Sequence, residues 1–455
     1  MRNSLACVAA LLLIRASLAQ AAENVPHFLA VRAPASPGVQ PPERWSATEN
    51  VRWKTDIAGL GWSSPIVWGD RVFLTTCVNK GATAEPRKGL YLEDVDARKY
   101  PPPKDTHQWK VLCLDLGTGN VLWERLAHEG VPPKPHHIKN TLASETPTTD
   151  GERVYAYFGN VGLFCYGMDG KPLWSQAIGA KETQYGWGTS QSPVVDGDRV
   201  YLVNDNEEQS YLSAFDKKTG EVAWSIPREE KTNYATPFVW KNALRTEIVT
   251  SGIGYVRSYD LAGKPLWQLK GSSILAIPTP FERFGNLYVT SGHVAWGGNP
   301  LYAIKPGAAG DITLAEGQTS NDQIVWSQKK AGPYHPTPII HDETLYILYD
   351  RGFMAAYNAK TGQEVYGRQR IPNGKAFTSS PLVYGDKLFC LNEDGVTFVI
   401  KTGPQFEILY TNALAEDDMG MATPAIVGDK LLVRTAARIY CIQQGAQLKA
   451  AAGGR

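Results

Sequence analysis

A proline preceded by serine or threonine recurs along this chain, and several of its copies lie about 44 residues apart. The eight copies are Ser64-Pro65, Thr146-Pro147, Ser192-Pro193, Thr236-Pro237, Thr279-Pro280, Thr337-Pro338, Ser380-Pro381 and Thr423-Pro424. A repeat of this length is typical of one four-stranded blade of a β-propeller. The spacing therefore limits the chain to a circular or linear array of small β-sheets.

One copy can be followed strand by strand. Pro193 opens the first strand, where a missing N–H costs no ladder hydrogen bond. Gly197-Asp198 predicts a tight turn before a second, alternating strand, and Thr219-Gly220 predicts another turn between a third and a fourth strand. The fourth strand ends at Trp224. Each repeat is thus a meander of four antiparallel strands.

The aromatic residue of the fourth strand recurs in most copies, at Trp123, Trp174, Trp224, Trp267, Trp326 and Tyr366, and at a weaker Leu409. The eighth copy ends after three strands. Its missing fourth strand resembles a segment near the other end of the chain, because residues 50–54 match residues 120–124. We therefore predict an all-β fold, an eight-bladed β-propeller with an N-terminal strand closing the last blade.

The cysteines are too sparse for a disulfide scaffold or a zinc site, since no C-x-x-C pair occurs. Three of them, Cys113, Cys165 and Cys441, take a third-strand position that other repeats fill with alanine or serine. We interpret them as small core residues beneath the fourth-strand aromatic.

The chain divides into four parts. Residues 1–22 have the basic start, apolar run and small residues of a signal peptide, so we expect a periplasmic or extracellular protein that is not a lipoprotein. Residues 23–44 form a Pro-rich arm, residues 45–444 the propeller and residues 445–455 a flexible tail. No other segment is apolar enough to span a membrane.

Two insertions interrupt the repeat. Residues 78–107 are charged and rich in proline, and they fall between the second and third strands of blade 1. Residues 306–323 are rich in Gly, Ala, Ser and Asn, which predicts a flexible excursion in blade 5.

The net charge of +1 gives no basis for binding nucleic acid. We expect a monomer.

The spacing A-x-D-x-x-T-G-x-x-x-W at Ala214–Trp224 resembles the tryptophan-docking repeat of the pyrroloquinoline quinone (PQQ)-like propeller superfamily. Residues 62–65, 139–147 and 205–210 are similar to exported bacterial PQQ-repeat proteins of unassigned activity. The resemblance covers residues 45–442. It implies the fold, but the superfamily includes quinoprotein dehydrogenases, an assembly lipoprotein and sensors, so it does not imply one function.

The loops that enter each first strand, and those between second and third strands, share one face of a propeller. This face is rich in polar and aromatic groups, as expected for a ligand- or partner-binding surface. Its candidate residues are Trp62, Lys139, Asn140, Glu145, Tyr185, Trp187, Gln191, Asn206, Glu207, His293, Trp296, Tyr334, His335, Arg351, Glu393 and Asp394. The alternative is that these side chains only bond exposed turn amides.

No catalytic or metal-binding pattern stands out. The oxygen-rich segment 205–208 could coordinate Ca²⁺, but it also has the composition of a turn, which we favour. His136-His137 lies in a Pro-rich stretch with no third ligand, so we expect a solvated loop. We predict no metal site and assign no catalytic residue.

Two functions remain. The first is a binding scaffold that engages an unknown protein or small molecule at the funnel face and has no cofactor. The alternative is a PQQ-dependent oxidoreductase acting on alcohols or sugars, for which the resemblance implies PQQ with Ca²⁺. The quinone dehydrogenases carry adjacent cysteines over the cofactor, and this chain has no Cys-Cys. We therefore favour the scaffold.

Overall fold

A computed structural model describes residues 24–29, 42–82, 86–90, 96–293 and 298–448. These residues form 33 strands and two short 3₁₀ helices, Ala97–Lys99 and Gln184–Gly186. The strands make eight separate sheets, each built on an antiparallel set of four strands, and one sheet has a fifth strand. The prediction of an all-β, eight-bladed propeller is confirmed.

In the first four blades the strands run from the innermost to the outermost in chain order. Blade 1 comprises β2 (Ile66–Trp68), β3 (Arg71–Asn79), β4 (His107–Asp115) and β5 (Val121–Gly130), and blade 2 comprises β6 (Thr148–Thr149), β7 (Arg153–Phe158), β8 (Gly162–Gly167) and β9 (Pro172–Ala177). Blade 3 comprises β10 (Val194–Asp196), β11 (Arg199–Asn204), β12 (Ser210–Asp216) and β13 (Val222–Arg228), and blade 4 comprises β14 (Phe238–Lys241), β15 (Thr246–Ser251), β16 (Tyr255–Tyr259) and β17 (Pro265–Lys270).

The other four blades follow the same order, apart from the closure of blade 8 by β1. Blade 5 comprises β18 (Phe281–Arg283), β19 (Asn286–Thr290), β20 (Leu301–Ile304) and β22 (Ile324–Gln328), and blade 6 comprises β23 (Ile339–His341), β24 (Thr344–Tyr349), β25 (Phe353–Asn358) and β26 (Glu364–Arg370). Blade 7 comprises β27 (Leu382–Tyr384), β28 (Lys387–Leu391), β29 (Val396–Lys401) and β30 (Ile408–Ala413), and blade 8 comprises β31 (Ala425–Val427), β32 (Lys430–Arg434), β33 (Arg438–Gln447) and β1 (Glu49–Asp56).

Blade 8 joins the two ends of the chain. Strand β1 pairs antiparallel with β33, which places Trp53 opposite Cys441. Trp53 packs in one core cluster with Val427 and Ile439. The predicted closure by an N-terminal strand is therefore confirmed. Strand β33 continues to Gln447, so the prediction of a flexible tail is wrong for its first three residues, which the pairing with β1 orders.

Tryptophans of the outer strands hold neighbouring blades together. Five indole Nε1 groups donate to a carbonyl in a turn of the next blade, from Trp53 to Leu116 (2.9 Å), Trp123 to Met168 (3.0 Å), Trp174 to Lys217 (3.1 Å), Trp224 to Leu261 (3.0 Å) and Trp326 to Ala359 (2.9 Å). Beneath four of these rings, all except that of Trp224, the turn glycine is needed for space. At Gly220, where φ is +76°, a Cβ would lie 2.5 Å from the Trp174 ring.

The third-strand position opposite each outer-strand tryptophan is small, as predicted. Cys113 faces Trp123 and Cys165 faces Trp174 across the strand pair. Both thiols are buried, and burial raises the pKa of each to about 12. In blade 7 the aromatic is Tyr410, opposite Val399, rather than the predicted position 409. The two residues of this pair are 11 positions apart, one more than the 10 between Cys113 and Trp123, so the connection between the third and fourth strands is one residue longer.

The two insertions behave differently. The insertion of blade 1 lies between β3 and β4, as predicted. The insertion of blade 5 was predicted to be a flexible excursion, which is wrong. Its strand β21 (Gly310–Asp311) pairs parallel with β17 and adds a fifth strand to blade 4. Ala308 and Ile312 anchor it in the core of that blade.

The described residues include no helix that is long and apolar enough to cross a membrane. The predicted signal peptide, residues 1–22, lies outside the described residues.

Candidate functional site

All eight blades contribute to a cavity at one end of the propeller. Its volume is about 540 Å³, and its walls come from the loops that enter the first strands. Eight of the predicted site residues line it, namely Trp62, Lys139, Asn140, Tyr185, Trp187, His293, Tyr334 and His335. The antiparallel meander explains this grouping, since every first strand of such a blade begins at the same end of the ring.

A belt of hydroxyl groups surrounds the floor of this cavity. Each belt residue is the serine or threonine before a first-strand proline, and in most blades its backbone N–H donates to the belt hydroxyl of the next blade. Six such bonds are formed, from Ser64 to Thr146 (2.9 Å), Thr146 to Ser192 (2.9 Å), Ser192 to Thr236 (3.1 Å), Thr279 to Thr337 (3.0 Å), Thr337 to Ser380 (2.9 Å) and Ser380 to Thr423 (3.0 Å). All six acceptor residues line the cavity.

Two aromatic clusters form the walls. In the first, the Trp187 ring lies 5.4 Å from the Tyr185 ring and 6.4 Å from the Tyr234 ring. In the second, the Tyr334 ring lies 5.1 Å from His293 and 4.0 Å from His335. The wall therefore offers flat, weakly polar surfaces to an occupant.

Part of the blade 1 insertion joins blades 2 and 7 beside the cavity. Lys139 Nζ forms an ion pair with Glu393 Oε1 at 2.5 Å and also donates to the carbonyl of Gly89 at 2.8 Å. The N–H of Gly89 donates to the other carboxylate oxygen of Glu393 at 2.8 Å. These contacts fix Gly89, and the next residue, Leu90, lines the cavity.

A second contact of the same insertion reaches blade 3. The Arg98 guanidinium lies 5.2 Å from the centroid of the Tyr185 ring. Tyr185 adopts a φ of 53°, a left-handed conformation that is unusual for a tyrosine. The backbone of this loop is therefore held in a strained conformation at the cavity wall.

The N-terminal arm lies along the innermost strands of blades 1 and 2. Val25 and Val67 exchange two backbone hydrogen bonds of 2.8 Å, and the Pro26 carbonyl accepts from Thr149 N at 2.8 Å. Phe28 then lines the cavity. Part of the predicted Pro-rich arm is thus an ordered wall of the channel.

Three imidazoles line the cavity, and each is shifted toward the neutral form. Burial lowers the pKa of His137 and of His293, and lowers that of His335 to about 3. The neighbouring His136 is also enclosed, and burial lowers its pKa to about 4. The prediction of a solvated loop at His136-His137 is therefore wrong, because the loop folds inward against Trp187.

Four predicted residues support the loops without lining the cavity. Glu145 is buried and accepts from Thr189 Oγ1 and Gly159 N, and burial raises its pKa to about 7. The other three make similar local bonds. Gln191 donates to the Asn233 carbonyl, Asn206 accepts from Glu208 N and Gln209 N at 2.9 Å, and Glu207 accepts from Thr232 N at 3.1 Å.

The remaining predicted residues lie around the cavity or beyond it. Glu393 is the buried partner of Lys139, while Asp394 pairs with Lys375 at 3.8 Å. The Arg351 carbonyl accepts from Arg370. Trp296 lies outside the described residues. For these positions the alternative interpretation, bonding to turns and neighbours, describes the observed contacts.

The oxygen-rich segment 205–208 is a turn. The carboxylate of Asp205 is held in a buried ion pair with Arg228 at 2.8 Å, and Asn206 closes the turn. Across the part of the chain that the structure describes, no cluster of His, Cys, Asp and Glu side chains has a geometry that could hold a metal ion.

Sequence reasoning missed several lining residues, among them Tyr234, Gln184 and Thr378. Four polar atoms of lining residues are buried and have no hydrogen-bond partner within the described residues. They are the Tyr234 hydroxyl, Gln184 Oε1, Thr378 Oγ1 and His335 Nδ1. No periodic signal marks the first three, because they sit in loops of irregular length. The belt was visible as the Ser/Thr-Pro repeat, but its role was not.

The side chains that line the cavity do not fit PQQ with Ca²⁺. PQQ carries three carboxylates, whereas the described lining residues supply one cation, Lys139, which Glu393 already neutralises. A Ca²⁺ ion prefers several carboxylate or carbonyl oxygens, and no acidic residue is among the described lining residues. The described cysteines are buried within the blades.

Comparison with known proteins identifies the family. A family model described as outer membrane protein assembly factor BamB matches residues 108–270 and 252–449, which is most of the chain. A comparison with curated proteins found no similar sequence.

Solved structures share the fold at low sequence identity. BamB from Moraxella catarrhalis is 13% identical with a TM-score of 0.56, over 87% of this chain and 99% of that one. The computationally designed Ika8 protein is 11% identical with a TM-score of 0.55, over 86% and 99%. A quinohemoprotein alcohol dehydrogenase from Pseudomonas putida is 12% identical with a TM-score of 0.58, over 96% and 83%. The chain belongs to the BamB-type family of PQQ-like eight-bladed β-propellers.

Proposed function

We propose that this protein is an exported binding propeller whose ligand is a small molecule held in the cavity at the loop end of the ring. The observation that carries the proposal is the set of unpartnered polar atoms on residues that line an aromatic-walled cavity. Export rests on the signal-like residues 1–22, which support a periplasmic or extracellular location.

The cavity has the properties of a ligand site. Its volume of about 540 Å³ falls within the range of roughly 300 to 1,000 Å³ that is usual for small-molecule pockets. Each buried polar atom left without a partner costs about 1–3 kcal/mol. Four such atoms lie on Gln184, Tyr234, His335 and Thr378, and a bound molecule could supply their hydrogen bonds.

The position of the aromatic wall favours a small molecule over a protein partner, because the wall lines a cavity. Gly89 of the blade 1 insertion bonds to Glu393 and Lys139 beside it, and Leu90 lines the same cavity. A small molecule inside the cavity contacts both the aromatic wall and Leu90.

The proposal can be tested by intrinsic fluorescence, because Trp62 and Trp187 line the cavity. A library of small neutral, anionic and cationic compounds is screened for saturable changes in tryptophan emission. Trp187→Ala should weaken every hit at least about tenfold, since it removes the central ring of one wall. The control Tyr211→Ala, which removes an aromatic 37% exposed on strand β12, should leave affinity unchanged.

Two outcomes would contradict the proposal. The first is a screen without any saturable hit. The second is a set of hits that Trp187→Ala and Tyr211→Ala weaken equally. A parallel titration with PQQ and Ca²⁺, followed by the absorbance of the cofactor, is expected to show no saturable uptake. Uptake together with reduction of an artificial electron acceptor would favour an oxidoreductase.

A further inference from the structure

The hydroxyl belt has hydrogen-bonding capacity that the fold does not use. Six belt hydroxyls accept a backbone N–H, at Thr146, Ser192, Thr236, Thr337, Ser380 and Thr423. None of the six donates its proton to a protein acceptor in the described ranges. Each hydroxyl keeps its proton and a second lone pair, so all six can bond to a molecule on the floor of the cavity.

Acceptors and donors of other kinds lie on the same walls. Gln184 Oε1 and Thr378 Oγ1 are buried without a partner among the described residues, and so are the Tyr234 hydroxyl and His335 Nδ1. A ligand that satisfies this set must both donate and accept hydrogen bonds around much of its edge.

The cavity is also electrically neutral. Lys139 is the one residue with a formal charge among the described lining residues, and its ammonium pairs with the buried Glu393 at 2.5 Å. Its imidazoles are held in the neutral form by burial. A charged ligand would lose its hydration without gaining a free counter-charge. The occupant is therefore uncharged.

The cavity also offers flat apolar surfaces. The Trp187 ring lies between those of Tyr185 and Tyr234, and its electron-rich face suits the weakly positive C–H groups of a saturated ring. The ligand thus needs a C–H face for the wall and several hydroxyls for the belt.

We infer that the occupant is a small uncharged carbohydrate, whose ring packs on the Tyr185–Trp187–Tyr234 wall and whose hydroxyls bond the belt and Gln184. This inference rests on the proposed function, because it names the ligand class of the same cavity. It follows from the chemistry of the walls, in which each hydroxyl of the ligand finds both a donor and an acceptor.

Calorimetric titration tests the inference with matched probes. The neutral probes are glucose, galactose, mannose, xylose and the disaccharides maltose and cellobiose, and the charged counterparts are glucuronate and glucosamine. At least one neutral sugar should bind saturably, and at least tenfold more tightly than its charged counterpart. Tyr234→Phe should weaken that sugar about three- to tenfold, whereas Tyr211→Phe on the outer surface should not change it.

A neutral aromatic compound without hydroxyls, naphthalene, separates this inference from the proposed function. If naphthalene binds in a manner that requires Trp187 and no sugar binds, the carbohydrate assignment is overturned and the binding function stands. The assignment is also overturned if glucuronate binds as tightly as glucose, or if Tyr234→Phe and Tyr211→Phe have the same effect. If neither the sugars, naphthalene nor the library binds, both proposals fail.

Discussion

The two ends of this propeller are built from the same repeat, yet they differ in where their unpartnered polar atoms lie. Those of the turn end, such as Trp240 Nε1 and the Tyr366 hydroxyl, do not line the cavity. At the turn end, indole N–H groups such as that of Trp174 donate to a carbonyl of the next blade, and the turn residue Asp216 accepts from Lys218 N and Thr219 N. At the loop end, polar atoms of Tyr234 and His335 remain unpartnered within the described chain, beside a cavity.

The difference shows which end carries function. A polar group that bonds to its own turn or to the next blade stabilises the ring and leaves nothing for a ligand. An unpaired polar group in an enclosed space destabilises the fold, and its retention is explained if something else binds there. The turn end is therefore the structural end, and the loop end is the end that we propose binds a ligand.

The largest expected effect contrasts ion pairs at the two ends. Lys139→Met leaves the carboxylate of Glu393, which is 0% exposed, without its cation, and should lower the free energy of unfolding by about 3–5 kcal/mol. The turn-end pair Lys360–Glu343 has the same 2.5 Å separation but is 49% and 57% exposed, so Lys360→Met should cost less than about 0.5 kcal/mol. Urea unfolding measures both.

The double variant Lys139→Met/Glu393→Gln sharpens this result. It removes both charges, and its stability should return to within about 1 kcal/mol of the parent. Equal losses in the single and double variants would show that Lys139 stabilises the segment around Gly89 rather than the buried charge of Glu393.

The next effect concerns the turn end alone. Gly220→Ala places a Cβ 2.5 Å from the Trp174 ring at a φ of +76°, and should cost about 3 kcal/mol. Gly197→Ala, in another turn of the same blade, has a φ of +56° and nothing within 4 Å, so it should cost about 1 kcal/mol. Similar losses in urea unfolding would mean that the tryptophan does not dock as described.

The pH dependence of the free energy of unfolding should reflect the buried imidazole of His335 at the loop end. The pKa of His335 is about 3 in the folded protein and about 6.5 when unfolded, so the unfolded state binds the extra proton as the pH falls below 6.5. Stability from this group is complete above pH 6.5 and should drop by about 2 kcal/mol at pH 5. His335→Phe should flatten the slope, while His341→Gln, at the turn end, serves as the control. An unchanged slope in His335→Phe contradicts the burial.

The smallest effect tests a single bond of the hydroxyl belt. Ser380→Ala removes the acceptor of Thr337 N and should cost about 1 kcal/mol, whereas Ser380→Thr keeps the hydroxyl and should cost less. Thermal unfolding compares the two. A larger loss in Ser380→Thr would mean that space, not the hydrogen bond, decides this position.

The turn end could be predicted from the sequence almost residue by residue. Its determinants are local, since Thr219-Gly220 and Trp224 recur at fixed spacing in one blade after another. Closure by β1 could also be predicted, because the eighth repeat visibly lacks a strand. The exception is β21. Its two residues pair with the preceding blade, and no local sequence pattern indicates this contact.

The loop end could be predicted only in part. The face was identified, and eight of its predicted residues line the cavity. Tyr234 and Phe28 were missed because their place depends on contacts between loops far apart in the chain. Glu145 and Asn206 were assigned to the binding face, yet their side chains bond within the loops that support it. Composition identifies a polar loop, but not which way a side chain turns.

Hydrogen–deuterium exchange with and without the tightest-binding compound tests the central claim most directly. The account predicts protection confined to peptides of the loop end, covering residues 86–90, 184–192, 234–236 and 334–337. Turn-end peptides, such as residues 216–220, should exchange unchanged. Protection centred on the turns or on the outer strands, with the loop-end peptides unaffected, would contradict the assignment of the binding end.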